Sequence, residues 1–170
     1  MIGLKKRTTK LVCAALAVCM ALSLCACGKG DGAKDSAKND PNHMELEEYE
    51  LDYEKAEIKK DTDDRDALVL TMKFTNNSDK DASYMWSISE YAFQNGIGLE
   101  STSIFEDMEK YTMATDSQFT KIQKGKTIEI CTAFVLNDSK SDVEIKFSPL
   151  LGEKESKIVI DLATLTRKDI

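Results

Sequence analysis

Histidine is nearly absent from this chain of 170 residues, since His43 is its only example. After residue 43, therefore, no histidine can act as the base for a serine or cysteine nucleophile, and none can bind a metal ion. Glycine-rich phosphate loops and the Ser-x-x-Lys motif sets of acyl-transfer enzymes are missing as well. The sequence thus predicts no catalytic residue, no metal site and no cofactor, and we expect a protein that is not an enzyme.

Cysteine is also scarce once the N-terminal segment is set aside. Four of the five cysteines lie within the first 27 residues, which leaves Cys131 alone in the rest of the chain. A single thiol cannot form an internal disulfide, so the fold must rest on its hydrophobic core. Because Glu129 nearby does not favour a thiolate, Cys131 is predicted to be a partly buried structural residue.

Aromatic residues number 12 of 170, and basic residues are outnumbered by acidic ones. Without residues 1–26, 19 basic residues face 30 acidic ones, which is a formal charge near −11. Such a surface repels phosphate backbones, so we expect no nucleic-acid partner. With so many carboxylates, no particular pair can be singled out for glycoside hydrolysis.

The N-terminus has the pattern of an export signal. Its basic region, with Lys5, Lys6, Arg7 and Lys10, precedes an apolar stretch from Leu11 to Leu24 that no charge interrupts. A helix of that length spans about 21 Å, which is short of the ~30 Å hydrocarbon core of a bilayer. Residues 1–26 are therefore predicted to be a signal peptide rather than a membrane span.

The end of this stretch, Leu24-Cys25-Ala26-Cys27, resembles the lipobox of bacterial lipoproteins. The resemblance implies cleavage before Cys27 and lipid attached to its sulfur, which would hold the protein on the outer face of the cell membrane. Two acyl chains supply the two signals that stable anchoring requires. The alternative is an ordinary secretory signal with a chance cysteine.

Residues 27–44 are predicted to be the lipidated cysteine and a flexible tether. From Gly28 to His43 the chain contains no aromatic or branched aliphatic residue, so this segment has nothing to bury. Its typical reach is about 20–24 Å. Residues 45–170 then have the usual size of one domain with its own core.

Short alternating strands separated by polar turns predict an all-β fold, an antiparallel β-sandwich of about seven strands. The clearest strand is Ala67–Thr75, in which every second residue is apolar. A bulge is expected near Lys55, and Asn95-Gly96 suits a type I′ hairpin turn. Ser103 and Glu106 match a capping box, which indicates one short helix near 104–112 or an irregular strand connection.

A second resemblance rests on Thr75-Asn76-Asn77-Ser78, Phe93-Gln94-Asn95-Gly96 and Lys124-Gly125. These segments are similar to a family of domains of unknown function in Gram-positive lipoproteins, over most of residues 48–162. The resemblance implies an immunoglobulin-like fold and transfers no catalytic residue. Gly98 departs from the family pattern, because it stands where a side chain could have packed.

Two stretches are candidate contact surfaces: the segment around Tyr84 and Trp86, and the hairpin tip with Gln94 and Asn95. An exposed tryptophan beside other large side chains is typical of binding surfaces. The alternative for Trp86 is burial between the two sheets, where sandwiches commonly hold a tryptophan.

The acidic segment Asp61–Asp66 begins with the spacing of an EF-hand loop. However, Arg65 takes the fifth position, Asp66 takes the place of the required glycine, and Met72 stands where a bidentate glutamate is needed. The segment is therefore predicted to be a solvated turn, with weak calcium binding as the alternative.

Together these features predict a membrane-tethered, non-enzymatic binding or assembly module with a protein partner in the cell envelope. One alternative is a carboxylate-dependent wall hydrolase, which two carboxylates about 5–10 Å apart in a cleft would favour. Another is a solute-binding lipoprotein, although a single domain is smaller than the two-lobed proteins usual for that role.

Overall fold

Two four-stranded antiparallel sheets make up most of the described part of the chain, residues 40–107 and 112–165 of a computed structural model. In chain order its strands are β1 (His43–Leu46), β2 (Tyr49–Lys60), β3 (Asp66–Asn76), β4 (Ile88–Gln94), β5 (Ile97–Gly98), β6 (Phe105–Asp107), β7 (Thr112–Met113), β8 (Lys126–Val135), β9 (Val143–Pro149) and β10 (Ser156–Ile160). The first sheet has the order β1-β2-β3-β8 and the second the order β10-β9-β4-β5, while β6 pairs with β7. The predicted all-β sandwich is confirmed.

In the part of the chain that the structure describes, helical structure is confined to short turns. A single α-helical turn, α1 (Tyr84–Ser87), precedes β4, and two 3₁₀ helices span Ala114–Phe119 and Leu162–Thr164. No helix among residues 40–107 and 112–165 is long and apolar enough to cross a bilayer. The predicted export segment and Cys27 lie outside the described residues.

Strand β3 lies at the centre of the core because it is apolar on both faces. Leu68, Leu70, Met72 and Phe74 belong to the main core cluster, which also includes residues of the opposite sheet. Ala67 and Val69, on the other face, pack in a smaller cluster with Ile104 and Ala133. Strand alternation thus places the predicted residues in the core.

Two local features of the strands were predicted and are confirmed. The register of β2 and β3 shifts between Tyr53 and Lys55, so the bulge moves the apolar positions of β2 to the opposite parity. Asn95 and Gly96 have φ values of 53° and 77°, as a type I′ turn between β4 and β5 requires. A Cβ on Gly98 would meet only the Phe93 ring, at an ordinary contact distance of 3.9 Å, so this exposed glycine has room for a side chain.

The short helix expected near 104–112 is not present in the part of that segment that the structure describes. Phe105 pairs with Met113 across β6 and β7, and residues 108–111 lie outside the described residues. Ile104 is 3% exposed in the smaller cluster, and the residues that follow it form strand β6. The nearest helix is the 3₁₀ helix that begins at Ala114.

Residues 43 and 44, which were assigned to the predicted tether, belong to strand β1. Strand β1 starts at His43, and Met44 is 4% exposed in the main core. The His43 ring, predicted to lie in the tether, forms a 2.6 Å hydrogen bond between Nδ1 and Asp52 Oδ1. This bond raises the pKa of His43, against the effect of burial.

The outer edge of β8 is covered by other parts of the chain. Residues 100–102 form main-chain hydrogen bonds of 2.8 and 2.9 Å to it. Ser117 and Gln118 of the 3₁₀ helix bond the backbone N–H and carbonyl of Cys131, each at 3.0 Å. These bonds use edge groups of Cys131, Ala133 and Val135, which disfavours pairing with a further strand at those residues.

Cys131 itself is a half-buried free cysteine, as expected. Burial raises the pKa of its thiol to about 11, and Lys59 and Lys55 offset only part of that effect. At neutral pH the residue is therefore a thiol rather than a reactive thiolate.

Candidate binding groove

A groove of about 710 Å³ opens at one end of the sandwich. It is formed by the β1–β2 turn, the loop between β3 and α1, the helix α1, and the loop between β9 and β10. We call it the Trp86 groove, because Trp86, Leu150 and Leu151 supply its large apolar side chains. Two other concave regions in the described part of the chain are smaller, at about 390 and 220 Å³.

Its apolar side chains are unusually exposed. Trp86 is 74% exposed, Leu150 is 47% exposed and Leu151 is fully exposed. Large apolar residues of this kind are mostly buried in soluble domains, and their clustering on one surface marks an interaction site. This groove is therefore a candidate interaction surface in the described part of the chain.

Trp86 faces solvent because of its position in the helix α1. In one turn of helix, residues three apart share a face, and Tyr84 and Ser87 take the buried face. Trp86 then lies on the outer side, and its backbone N–H donates to the Ser83 carbonyl at 3.1 Å. The Ser87 carbonyl accepts a 2.9 Å hydrogen bond from the Leu150 N–H, which joins the two apolar walls.

Glu47 fixes the opposite loop of the groove. This residue has a φ of 56°, a conformation that is uncommon for a residue other than glycine. Its carboxylate accepts hydrogen bonds from the backbone N–H groups of Glu153 and Lys154, at 3.0 and 3.4 Å. A Cβ on Gly152 would lie 2.6 Å from that carboxylate, so glycine allows the close approach.

The side of the groove between β3 and α1 is held by the fully buried Asn76. Its Nδ2 donates to the Lys80 and Ile122 carbonyls at 2.8 and 3.0 Å, and its Oδ1 accepts from the Ser78 hydroxyl at 2.7 Å. Nearby, the Ser83 hydroxyl is buried without a hydrogen-bond partner among the described residues. The loop is thus preorganised around one amide.

The rim of the groove carries more acidic than basic residues. Lys80 and Lys121 line it together with the acidic residues Glu47, Glu48, Asp79 and Asp81. The ammonium group of Lys124 pairs with Asp79, which lowers the pKa of that carboxyl group. A partner with basic residues around an apolar anchor therefore complements this rim.

The structure separates the four residues predicted to bind. Trp86 is exposed, but Tyr84 is 2% exposed and donates its hydroxyl to Glu90 Oε2 at 2.8 Å. Because Tyr84 is enclosed in the core, the expected Tyr84–Trp86 edge is reduced to Trp86. Strand β4 runs from this end of the sandwich to Gln94, so the hairpin tip lies at the opposite end.

At that opposite end, Gln94 is buried rather than available for contact. Its Nε2 donates to the carbonyls of Asp138 and Ser141 at 2.9 and 2.8 Å. Its Oε1 accepts from the backbone N–H groups of Asn137 and Asp138 at 2.9 and 3.1 Å. The amide is fully used in holding the β8–β9 loop, which corrects the interpretation of Gln94 as a surface residue.

Asn95 remains exposed, but its side chain is also bonded within the domain. Its Nδ2 donates to Asp138 Oδ2 at 3.2 Å and to the Ser141 hydroxyl at 3.0 Å. These contacts join the hairpin tip to the β8–β9 loop.

Asp61 organises the acidic turn that resembles the start of a calcium loop. Its carboxylate accepts from the backbone N–H groups of Asp63 and Arg65, the Thr102 hydroxyl and the Arg65 guanidinium, all within 2.9 Å. Burial would raise the pKa of Asp61, but these hydrogen bonds lower it overall. Nowhere in residues 40–107 and 112–165 do three His, Cys, Asp or Glu side chains form a group that could hold a metal ion.

Leu150 and Leu151 were not identified as contact residues from the sequence. They stand between Pro149 and Gly152 in a loop, where consecutive leucines cannot both point into a core. That position is a usable signal, because a loop normally exposes its side chains. Glu90, on the inward face of β4, was also missed, although it shares the parity of the buried Ile88 and Ala92.

Comparison with known proteins agrees with this fold. The model of a family described as a domain of unknown function, DUF5067, matches residues 26–149, well over half of the chain. A solved structure from Staphylococcus aureus subsp. aureus NCTC 8325, described as a "putative lipoprotein", is similar with a TM-score of 0.60 and 14% identity. The match covers 77% of this chain and 95% of that one. No curated protein matches the sequence.

Proposed function

The chain belongs to the DUF5067 family of domains of unknown function, and we propose that it is a lipid-anchored protein of the cell envelope that binds a protein partner through the Trp86 groove. The envelope location is supported by the lipobox-like segment ending at Cys27 and by the description of the similar S. aureus structure. The function proposed is binding rather than catalysis.

Three exposed apolar side chains on a braced groove carry this proposal. Burial of one large apolar side chain stabilises a complex by about 1.5–3 kcal/mol, and tryptophan is among the residues that most often dominate interfaces. The hydrogen bonds of Glu47 and Asn76 hold the groove's loops before a partner arrives. Such preorganisation lowers the entropy cost of binding.

A protein partner fits the groove better than the membrane surface does. Tryptophan and leucine side chains can also enter a lipid interface. Here, however, four carboxylates and two lysines line the groove, and the excess of negative charge would repel anionic headgroups. The same carboxylates attract a polypeptide with an apolar anchor flanked by lysine or arginine, and we therefore propose a partner of this kind.

The groove is tested by photo-crosslinking in cells of the source bacterium. A crosslinking residue replaces Leu151, and a matched control replaces Val159, which is 56% exposed on β10. We expect a discrete protein adduct from position 151 that disappears when Trp86→Ala is added. Position 159 is expected to give no such adduct.

Two outcomes would contradict the proposal. Adducts with lipid alone would show that the groove meets the membrane, and protein adducts that persist with Trp86→Ala would show that Trp86 is not part of the contact. For a purified complex, Trp86→Ala is expected to weaken affinity about 30-fold, which corresponds to about 2 kcal/mol at an interface hot spot.

The anchor has a separate test. Cells supplied with a labelled fatty acid are expected to label the wild-type protein and the Cys25→Ala variant but not Cys27→Ala. The matched cysteine two positions away controls for indirect effects on export. Equal label in the Cys27→Ala variant would refute the anchor while leaving the groove untouched.

A further inference from the structure

A second concave region opens along the side of the sandwich, between β4 and β8 and beneath the 3₁₀ helix Ala114–Phe119. Its volume is about 220 Å³. Glu90 and Thr132 lie in it on the two strands, Asp116 and Phe119 lie on the 3₁₀ helix, and Met85 comes from α1. We call it the Glu90 cleft. It is distinct from the Trp86 groove in its lining residues.

Glu90 occupies an inward position of β4, in the same parity as Ile88 and Ala92. Its Oε2 accepts a 2.8 Å hydrogen bond from the Tyr84 hydroxyl, and its Oε1 accepts a 3.0 Å hydrogen bond from Thr132 Oγ1. The residue is only partly exposed, through the cleft. Each carboxylate oxygen keeps a lone pair for a further donor.

No positive charge within the described residues compensates this carboxylate. Its hydrogen-bond partners are two neutral hydroxyls, and the residues that line the cleft include Asp116 but no lysine, arginine or histidine. Burial raises the pKa of Glu90 to about 7, although both hydrogen bonds act in the opposite direction. A charge held deep in a protein is costly unless it is paired.

We propose that the Glu90 cleft binds a small organic cation, with an ammonium group that donates a hydrogen bond to Glu90. Asp116 adds a second negative charge to the lining. Phe119, which is 54% exposed, and Met85 supply an aromatic face and a polarisable sulfur, both of which attract cations or pack against their carbon chain. The lining hydroxyls of Thr115 and Thr132 provide further polar contacts.

The size of the cleft restricts the ligand. Pockets for drug-sized molecules usually measure roughly 300–1,000 Å³, and a water molecule takes about 30 Å³ of liquid. The cleft therefore suits an amine of about ten heavy atoms or fewer.

Binding is expected to depend on pH through Glu90. The groups bonded to it are the Tyr84 hydroxyl on α1 and the Thr132 hydroxyl on β8, and the Asp116 carboxylate on the 3₁₀ helix lines the same cleft. Burial raises the pKa of Tyr84 well above its ordinary value, so this phenol stays neutral. Ionisation of Glu90 around pH 7 then makes the affinity about tenfold higher at pH 8 than at pH 6.

The test uses the purified full-length protein and two probes, 2-phenylethylamine and 1,4-diaminobutane, followed by calorimetry at pH 6 and pH 8. At least one probe is expected to bind at pH 8, more weakly at pH 6, while 2-phenylethanol does not bind. Glu90→Gln keeps the shape of the side chain and is expected to lower affinity tenfold or more and to remove the pH dependence. Glu144→Gln, a matched loss of charge on β9 away from the cleft, is expected to change nothing.

Phe119→Ala provides a second variant if Glu90→Gln fails to fold, because Phe119 is 54% exposed and its loss is expected to disturb the core little. Loss of a cation–aromatic contact is expected to weaken binding about two- to fivefold. The proposal is overturned if neither amine binds at millimolar concentration and pH 8. It is also overturned if Glu144→Gln weakens binding as much as Glu90→Gln, since the amine would then be attracted only by the acidic surface. Neither result bears on the Trp86 groove.

Discussion

The two ends of the sandwich differ in whether their surface side chains are hydrogen-bonded within the domain or exposed and apolar. At the hairpin end, Gln94, Asn95 and Asp138 use their side chains in hydrogen bonds that connect neighbouring loops. At the Trp86 end, hydrogen bonds also hold the loops, but three large apolar side chains remain in solvent. The hairpin end also has exposed apolar side chains, Ile97 next to its turn among them, whereas those of the Trp86 end line one groove that another molecule could cover. The recognisable turn motif therefore has a structural role here, and the proposed binding surface lies at the other end.

Replacing Gln94 should disrupt the loop contacts at the hairpin end and cause the largest loss in the free energy of unfolding. Gln94→Ala leaves two backbone N–H groups and two carbonyls without their partner, and it also creates a cavity. We expect a loss of about 4 kcal/mol in the free energy of unfolding, measured by urea denaturation. Trp86→Ala, at the other end, should change the same quantity by less than about 0.5 kcal/mol. Equal losses for the two variants would contradict the comparison.

Raising the pH should produce the next largest effect, through Glu90. Its pKa in the folded state is about 7, against an ordinary value of 4.5. Because the folded state holds this proton more tightly, stability is highest below about pH 4.5 for this group and falls until pH passes 7. The expected loss between pH 5 and pH 8 is up to about 3 kcal/mol. Urea denaturation across this range measures it, and Glu90→Gln should remove it.

Titration of His43 also lowers the stability of the fold as the pH rises, so its contribution needs a separate control. Its hydrogen bond to Asp52 raises its pKa, so the charged ring stabilises the fold below its unfolded pKa of 6.5. This contribution disappears as the pH rises through the folded pKa. In His43→Gln, the part of the pH dependence due to Glu90 should remain. If this variant removed all of it, Glu90 would not be the main titrating group.

Disturbing the hydrogen bonds of Glu47 at the Trp86 end, which brace the β9–β10 loop, should cause the smallest loss of stability. In Gly152→Ala, the new Cβ would displace the Glu47 carboxylate from its two backbone N–H donors. Since the carboxylate is the far end of a flexible side chain, we expect a loss of only about 1 kcal/mol in unfolding free energy. Thermal and urea unfolding measure it. In a Glu47→Ala background the same substitution should cost nothing more, and an additive loss would show that the brace is not responsible.

Local patterns were sufficient to predict much of the fold. Alternation identified the strand Ala67–Thr75, and the Asn95-Gly96 dipeptide identified the turn between β4 and β5. Both signals depend only on residues that are neighbours in the sequence. The helix near 104–112 was not predictable in this way, since pairing of Phe105 with Met113 outweighs a capping-box pattern. A weak local preference yields to packing in such cases.

The candidate sites were harder to predict because they depend on contacts between distant segments. Gln94 is bonded by residues 43 to 47 positions further along the chain, so its burial has no local signal. Glu47 and the loop that it holds are 106 residues apart. Trp86 lies in a helix of a single turn, for which periodicity cannot decide the exposed face. Glu90 could have been found, because strand parity places it beside buried residues.

The helix α1 gives consecutive residues to three different surroundings. Tyr84 bonds Glu90 in the core, Met85 lines the Glu90 cleft, and Trp86 forms a wall of the Trp86 groove. A rotation of this one turn would alter all three contacts at once. If amine binding turned this helix, occupancy of the cleft and of the groove would be thermodynamically linked, and whatever factor an amine imposed on partner affinity, the partner would impose on the amine.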